Sequence, residues 1–261
     1  MVQFRWYNNQ TKCGKLGVVH MSSNRIIEIL EDYLAWAQLD ERVGGYKNLP
    51  QSERKKLRLQ YDNDARYYYE QLGLDEEEAL KGDTIISFFT PYKRLLQVET
   101  GWDVSKTVKS LRALINETLA TWDNDYTEKI LAVNKRVEGF GEVCYTKGNF
   151  MLLPDKNMNI ERYPVSEDRI DVTLYECFEG GALAKYFEKG DEGLREWVKR
   201  EHLELLFIRR VIKRENIKWF QGDEQHHKRI SEMNSTELYE YLDRATIFIQ
   251  YRTRALEQAG L

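Results

Sequence analysis

Between Tyr145 and Leu174 the chain gathers residues that can bind anions, pair buried charges or take irregular backbone: Gly148, Asn149, Pro154, Asn159, Arg162, Asp168, Arg169 and Asp171. Arginine forks match carboxylate and phosphate geometry, so Arg162 and Arg169 could hold an anionic ligand. Asn149 and Asn159 can each donate and accept hydrogen bonds. Gly148 allows backbone angles that other residues avoid. The same set can also make a polar clasp that pins an irregular loop to neighbouring helices. The clasp is the plainer reading, because buried polar networks often serve structure alone. Asn149, Asn159, Arg162, Asp168 and Arg169 are the ligand-binding candidates, and no residue is assigned a catalytic role.

Other reactive groups are scattered. His226-His227 beside Asp223 and Glu224 offers metal-ligand types, but adjacent histidines on one loop need a further ligand, and a solvated loop is favoured. No metal and no cofactor is expected. His202 reads as a core or edge histidine. Cys13, Cys144 and Cys177 are widely spaced with no CxxC, which fits inert thiols in a reducing compartment. Arg209-Arg-Val-Ile-Lys-Arg214 is the densest basic run, and Trp219-Phe220 follows it. Such a pair could contact phosphate and stack bases, yet Glu204 and Glu215 dilute it, and a solvated helix end is the bland alternative. The sequence contains no Walker loop, GxGxxG, GxSxG or HExxH.

The elements that must position these groups read as helices. Ser22-Ser-Asn24 can cap a helix through Ile26, Ile27, Leu30 and Leu34, stopped near Gly44-Gly45. Pro50 opens a second helix that reaches Leu72. Asp75-Glu-Glu-Glu78 suits a short helix start. Gly82-Asp83 reads as a break, and Thr84 to Val98 as two short pieces around Pro91. Residues 103–137 read as two helices with a junction near Trp122, and Gly139 and Gly141 give the best internal boundary, near 138–142. Residues 191–214 form the clearest amphipathic helix, through Leu194, Trp197, Val198, Leu205, Ile208 and Ile212. Asn234-Ser-Thr-Glu237 is a capping-box signal for a terminal helix through Leu238, Leu242, Ile249 and Leu256.

In this frame Asp168 falls at or near a helix N-terminus, where its carboxylate can accept backbone N–H bonds. Arg169 then starts the helix. Asp171, two residues on, would point away from it, because helical residues two apart share no face. The sequence therefore assigns Arg169 a partner from the 155–162 loop, Asp155 or Glu161.

The succession Tyr145, Thr146, Gly148, Pro154, Asn159, Arg162, then Asp168, Arg169, Asp171, Thr173 and Leu174, resembles an uncharacterised family of bacterial proteins. Phe248-Ile249 with Arg252 and Arg254 is similar to that family's ending. The resemblance covers about residues 143–178 and implies a helical cytoplasmic protein with no assigned activity. Gly148-Asn-Phe-Met-Leu-Leu-Pro154 followed by asparagine is also similar to the tail of HNH-type nucleases. Those enzymes use an upstream histidine to activate water beside a metal. Here no histidine stands between His20 and His202, so the resemblance lacks its catalytic base.

Composition bounds the rest. Hydrophobic residues are 42% and charged residues 31% of 261, a globular balance. A formal charge of −4 gives no global pull toward nucleic acid or anionic membrane. Four prolines favour long helices. The N-terminus carries no signal-peptide pattern, and no stretch nears the roughly 18 apolar residues of a membrane span. The expectation is a mainly α protein, a single compact multi-helix domain over 1–261 with a short irregular or β-containing central segment. It is read as cytoplasmic, with a protein partner and no membrane. An interaction or structural module is the first reading, and nucleic-acid or phosphate binding through residues 145–171 the second.

Overall fold

A computed structural model describes residues 25–26, 28–30, 48–101, 127–222 and 228–261. The cap at Ser22–Asn24, the Gly44-Gly45 stop, the Trp122 junction, Cys13 and His226-His227 with Asp223 and Glu224 lie outside them. Over the described residues the protein is mainly helical, with one small two-stranded sheet.

Helix α1, Gln51–Tyr61, begins directly after Pro50, whose fixed φ and missing N–H suit a helix entry. The helix does not run on to Leu72. Asp62 is extended (φ −86°, ψ 113°), and α2, Asn63–Arg66, widens into a π-type turn, Tyr67–Gln71. This break lets Leu59, Ala65 and Tyr68 reach one small apolar cluster with Ala79, Leu80 and Phe150. Helix α3, Glu76–Ala79, starts where the acidic run suited a short helix, and the structure adds a cap. Asp75 Oδ1 accepts from the Glu77 and Glu78 backbone N–H groups, both at 2.9 Å.

Strand β1, Gly82–Thr84, occupies the place read as a break. It pairs antiparallel with β2, Phe150–Leu152, in the register Gly82 to Leu152 and Thr84 to Phe150. A side chain at Gly82 would meet Tyr68 Cδ2 at 2.8 Å, so glycine here serves close packing. Helix α4, Phe89–Thr100, holds Pro91 in its first turn. The N–H that proline lacks has no helical partner there, so a single helix replaces the two pieces expected.

Helix α5, Thr127–Val143, runs unbroken through 138–142. A side chain at Gly141 would meet Ile26 Cδ1 at 2.6 Å, which makes this glycine a helix-packing contact. A turn at Lys147–Asn149 leads into β2. Then come α6, Lys156–Ser166, capped by Asp155, and α7, Ile170–Cys177.

Helix α8, Asp191–Arg200, is where the strongest periodicity fails. The helix expected to reach residue 214 stops at Arg200, because His202 turns left-handed (φ 52°) and the chain continues as short 3-10 turns. Phe207 and Ile217 bridge as an antiparallel pair, so residues 204–220 fold back as a strap. Leu206, Phe207, Ile212 and Ile217 are buried from it, while Ile208 is exposed. Apolar residues on several sides of a segment suit such a strap as well as a helix. Helix α9, Ser235–Gln258, has the expected capping box between Asn234 and Glu237. It packs on α5, α4 and the Lys147–Asn149 turn, and the main core lies between these elements. Among the described residues, no helix is long and apolar enough to cross a membrane.

Candidate functional site

The central segment forms one connected polar network, and its hub is the stretch from Asp83 to Ile86. Asn149 ends the turn before β2 and is fully buried. Its Oδ1 accepts from the Ile86 backbone N–H at 3.1 Å, and its Nδ2 donates to the carbonyls of Ile86 (3.1 Å) and Cys144 (2.7 Å). The side chain thus extends the two-stranded ladder where the backbone leaves it.

Arg162 points inward from α6, one turn after buried Met158, and has no exposed surface. Its Nε donates to Thr173 Oγ1 at 2.9 Å. Nη1 donates to Asp83 Oδ2 at 2.5 Å and to the Thr84 carbonyl at 2.7 Å, and Nη2 donates to the Ile85 carbonyl at 2.9 Å. Thr173 Oγ1 also donates to the Arg169 carbonyl at 2.8 Å, which joins the two arginines.

Arg169 is the residue before α7 and is extended (φ −96°, ψ 122°), in an antiparallel bridge with Ile86. Its Nε and Nη2 clasp Asp171 Oδ1 and Oδ2 at 3.2 and 2.7 Å. Nη1 donates to the Lys228 carbonyl and Nη2 to Gln221 Oε1 at 3.2 Å, and the guanidinium lies 5.1 Å from the Tyr241 ring centroid. The partner is therefore Asp171, not Asp155 or Glu161. Two residues within a helix share no face, but Arg169 is outside the helix, so its side chain folds over the first turn. Burial disfavours its charge, and Asp171 more than offsets this, leaving the guanidinium pKa raised. Glu161 binds Lys185 on the surface instead, and Asp155 caps α6.

Asp168 does not cap α7. It is left-handed (φ 57°), directly after left-handed Glu167, and lies half-buried against the Arg162 and Asp83 charges. Burial pushes its carboxyl up to about 7, with Arg162 pulling the other way. Asn159 stands apart from the network. It lines a cleft of about 430 Å³ between α1 and α6 with Lys55, Arg58, Lys156 and Asn157. The cations there are bridged to acids: Lys55 and Lys156 to Glu77 at 2.8 and 3.0 Å, and Arg58 to Asp62 at 2.8 Å. The structure thus joins Asn149, Arg162 and Arg169 through segment 83–86, sets Asp168 against them, and leaves Asn159 outside.

Arg252 is a further member. It is buried on the core face of α9, and it donates to the carbonyls of Glu201 (2.7 Å), Gly148 (2.9 Å) and Phe150 (2.6 Å). Glu201 Oε2 lies 3.7 Å away and accepts from the Leu152 N–H at 3.0 Å. Burial lowers the Arg252 pKa below its ordinary value. The sequence did hold a signal: Arg252 continues the apolar stripe of Ala245, Phe248, Ile249 and Leu256, where a cation must find buried partners. The three arginines share one physical task. Irregular chain running through an interior leaves carbonyls without partners, and a guanidinium supplies five donors and no acceptor.

The basic run is divided. Arg214 lies 3.7 Å over the Tyr175 ring, while Arg209 and Arg210 are exposed and left-handed. Cys144 and Cys177 are buried free thiols, the first pushed up to about 12 by burial. Among the described residues, no group of three or more His, Cys, Asp or Glu side chains is placed to hold a metal ion. Comparisons with protein-family models, with curated proteins and with solved structures find no match to this chain.

Proposed function

We propose that this chain is a cytoplasmic protein-interaction module, in which segment 145–171 is a structural clasp and binding takes place on α9. The observation that supports this most is where the clasp leads. Arg169 and Asp171 hold the Lys228 carbonyl and the Phe220 N–H, and Arg252 holds β2 to α9. The polar groups of the central segment thus fix the strap and α9 in place. Those two elements carry exposed apolar side chains, Ile208, Val211, Ile247 and Tyr251. Exposed apolar side chains on a rigid frame suit association with another protein.

Photo-crosslinking tests the reading. With p-benzoylphenylalanine replacing Tyr251 in the full chain in cells, a discrete protein adduct is expected. The same substitution at Tyr163, exposed on α6, should give none. Nucleic-acid adducts from position 251, or equal labelling at both positions, would overturn it.

A further inference from the structure

We infer that the ridge of α9 formed by Asp243, Ile247 and Tyr251 is the docking face for an acidic amphipathic helix of a partner protein. This rests on the interaction reading above and adds the partner's chemistry.

Three observations converge. The first is shape. Ile247, 53% exposed, lines two clefts at once, one of about 420 Å³ toward α5 and one of about 440 Å³ toward the strap. Tyr251, 58% exposed, stands one turn further along. The ridge from Asp243 to Tyr251 is about 12 Å long at 1.5 Å per residue, the length of two turns of a crossing helix. A side chain at Gly139, in the α5-side cleft, would meet nothing within 4 Å, so that cleft is open to an incoming group.

The second observation is charge. The strap-side cleft has an apolar floor that includes Leu205, Leu206 and Phe248, and among the described residues its charged lining is Arg210, Lys218 and Arg244, with no carboxylate. Lys218 Nζ donates to the Leu205 carbonyl at 3.1 Å and Arg244 Nη1 to the Phe220 carbonyl at 2.9 Å. Both cations are thus held in position by neutral oxygens. Among the described residues Arg244 also pairs with one acid, Glu240, whose Oε2 accepts from Nη2 at 3.5 Å on the exposed side of the same helix. An apolar floor with a cationic rim complements apolar side chains flanked by carboxylates, and on the α5 side of the ridge the Asp243 carboxylate is already clasped by Arg136, with Nη1 donating to Oδ1 at 2.9 Å.

The third observation is backbone. Arg209 and Arg210 are consecutive non-glycine residues at φ 51° and 57°. Left-handed backbone is costly for such residues and persists where the surroundings enforce it, commonly at binding sites. Here the Phe207–Ile217 bridge and the bond from Arg210 N–H to the Phe207 carbonyl (3.0 Å) enforce it, and Arg210 is set on the rim.

A single-stranded nucleic acid fits less well. Leu205, Leu206 and Ile247 in the lining offer no stacking face, and of its aromatic rings Trp219 is already tilted onto Tyr175 at 5.6 Å and Phe220 onto Phe248 at 5.7 Å, with Tyr251 the exposed one. The whole chain at −4 repels a long polyanion, whereas a few carboxylates feel chiefly the local cations.

The test is fluorescence anisotropy on the full chain with a fluorescein-labelled amphipathic helical peptide of about 18 residues, leucine at i, i+3, i+4 and i+7 and glutamate elsewhere. Saturable binding is expected, weakened about tenfold or more by Ile247→Glu, by Arg210→Glu with Lys218→Glu, and by raising salt. These exposed substitutions should leave the melting temperature within about 2 °C of the parent chain. A peptide with lysine for every glutamate should bind at least about tenfold more weakly. No saturation by about 1 mM, or affinity unchanged in both variants, overturns the docking face. If a glutamine-substituted peptide binds equally well and loses binding on Ile247→Glu, the acidic partner is wrong while the interaction reading stands. If oligo-dT displaces the glutamate peptide with higher affinity, both fail.

Discussion

Replacing Arg169 by alanine strikes the clasp at its most connected charge. Asp171 is fully buried and accepts four bonds: from Arg169 Nε and Nη2, from the Val172 N–H at 3.0 Å and from the Phe220 N–H at 3.0 Å. The substitution removes two of the four and leaves the carboxylate without a counter-charge. It also strands the Lys228 carbonyl. Breaking a buried pair from one side costs about 3–5 kcal/mol. The two surviving N–H bonds put the stranded carboxylate near the low end of that range, and the unpaired carbonyl adds about 1 kcal/mol. We therefore expect a loss of about 4 kcal/mol, or about 8–16 °C in melting temperature for a chain of this size. Urea denaturation followed by tryptophan fluorescence reads it directly, since Trp219 adjoins Phe220; the midpoint should fall with an unchanged slope. Adding Asp171→Asn should restore about 1–2 kcal/mol by removing the stranded charge while keeping an acceptor oxygen. A loss under about 1 kcal/mol from Arg169→Ala, or no recovery in the double variant, would refute the clasp.

Other outcomes follow from the same geometry. The Asp168 carboxyl is raised to about 7 in the folded protein, so between its unfolded value and 7 the folded state holds the extra proton. Its contribution is most favourable below about pH 4 and is lost as pH rises through 7, and Asp168→Asn should flatten that fall in the urea midpoint measured from pH 5 to 8.5. Asparagine also tolerates the left-handed backbone at this position, so the variant should be the more stable at pH 8. At Gly148 an added Cβ would meet Thr253 Oγ1 at 2.0 Å and the Ile249 carbonyl at 2.4 Å. Gly148→Ala should therefore cost about 1–3 kcal/mol or more, visible in calorimetry. Asn149→Ala strands the Ile86 N–H and two carbonyls and should cost about 3 kcal/mol in the same assay. Purified protein with Mg²⁺ or Mn²⁺ is expected to leave DNA and RNA intact; cleavage abolished by Asn149→Ala in a still-folded chain would contradict both statements.

The sequence by itself determined what is local. Asp75 and Asn234 cap helices because their oxygens meet N–H groups two and three residues ahead, and that spacing is written in the chain. Helical periodicity and few prolines marked a mainly α protein, and glycine, asparagine and proline marked the irregular segment after Cys144. The tertiary structure decided which partners those residues meet. Asn149 binds Ile86, 63 positions away, and Arg162 binds Asp83, 79 positions away. Nothing near Asn149 in the chain names β1 as the ladder it completes. The Arg169–Asp171 pair was hidden for a subtler reason. Its spacing forbids contact inside a helix, and in the fold Arg169 is extended, bridged to distant Ile86, and stands outside one. The strap after Arg200 shows the same limit. Leu203 to Ile217 carry enough apolar groups for either a helix or a fold-back, and Arg252 meets Glu201 just where α8 ends. Burying the Glu201 carboxylate against Arg252 and β2 sets that end, and the rim of the α9 clefts is built from the chain that follows.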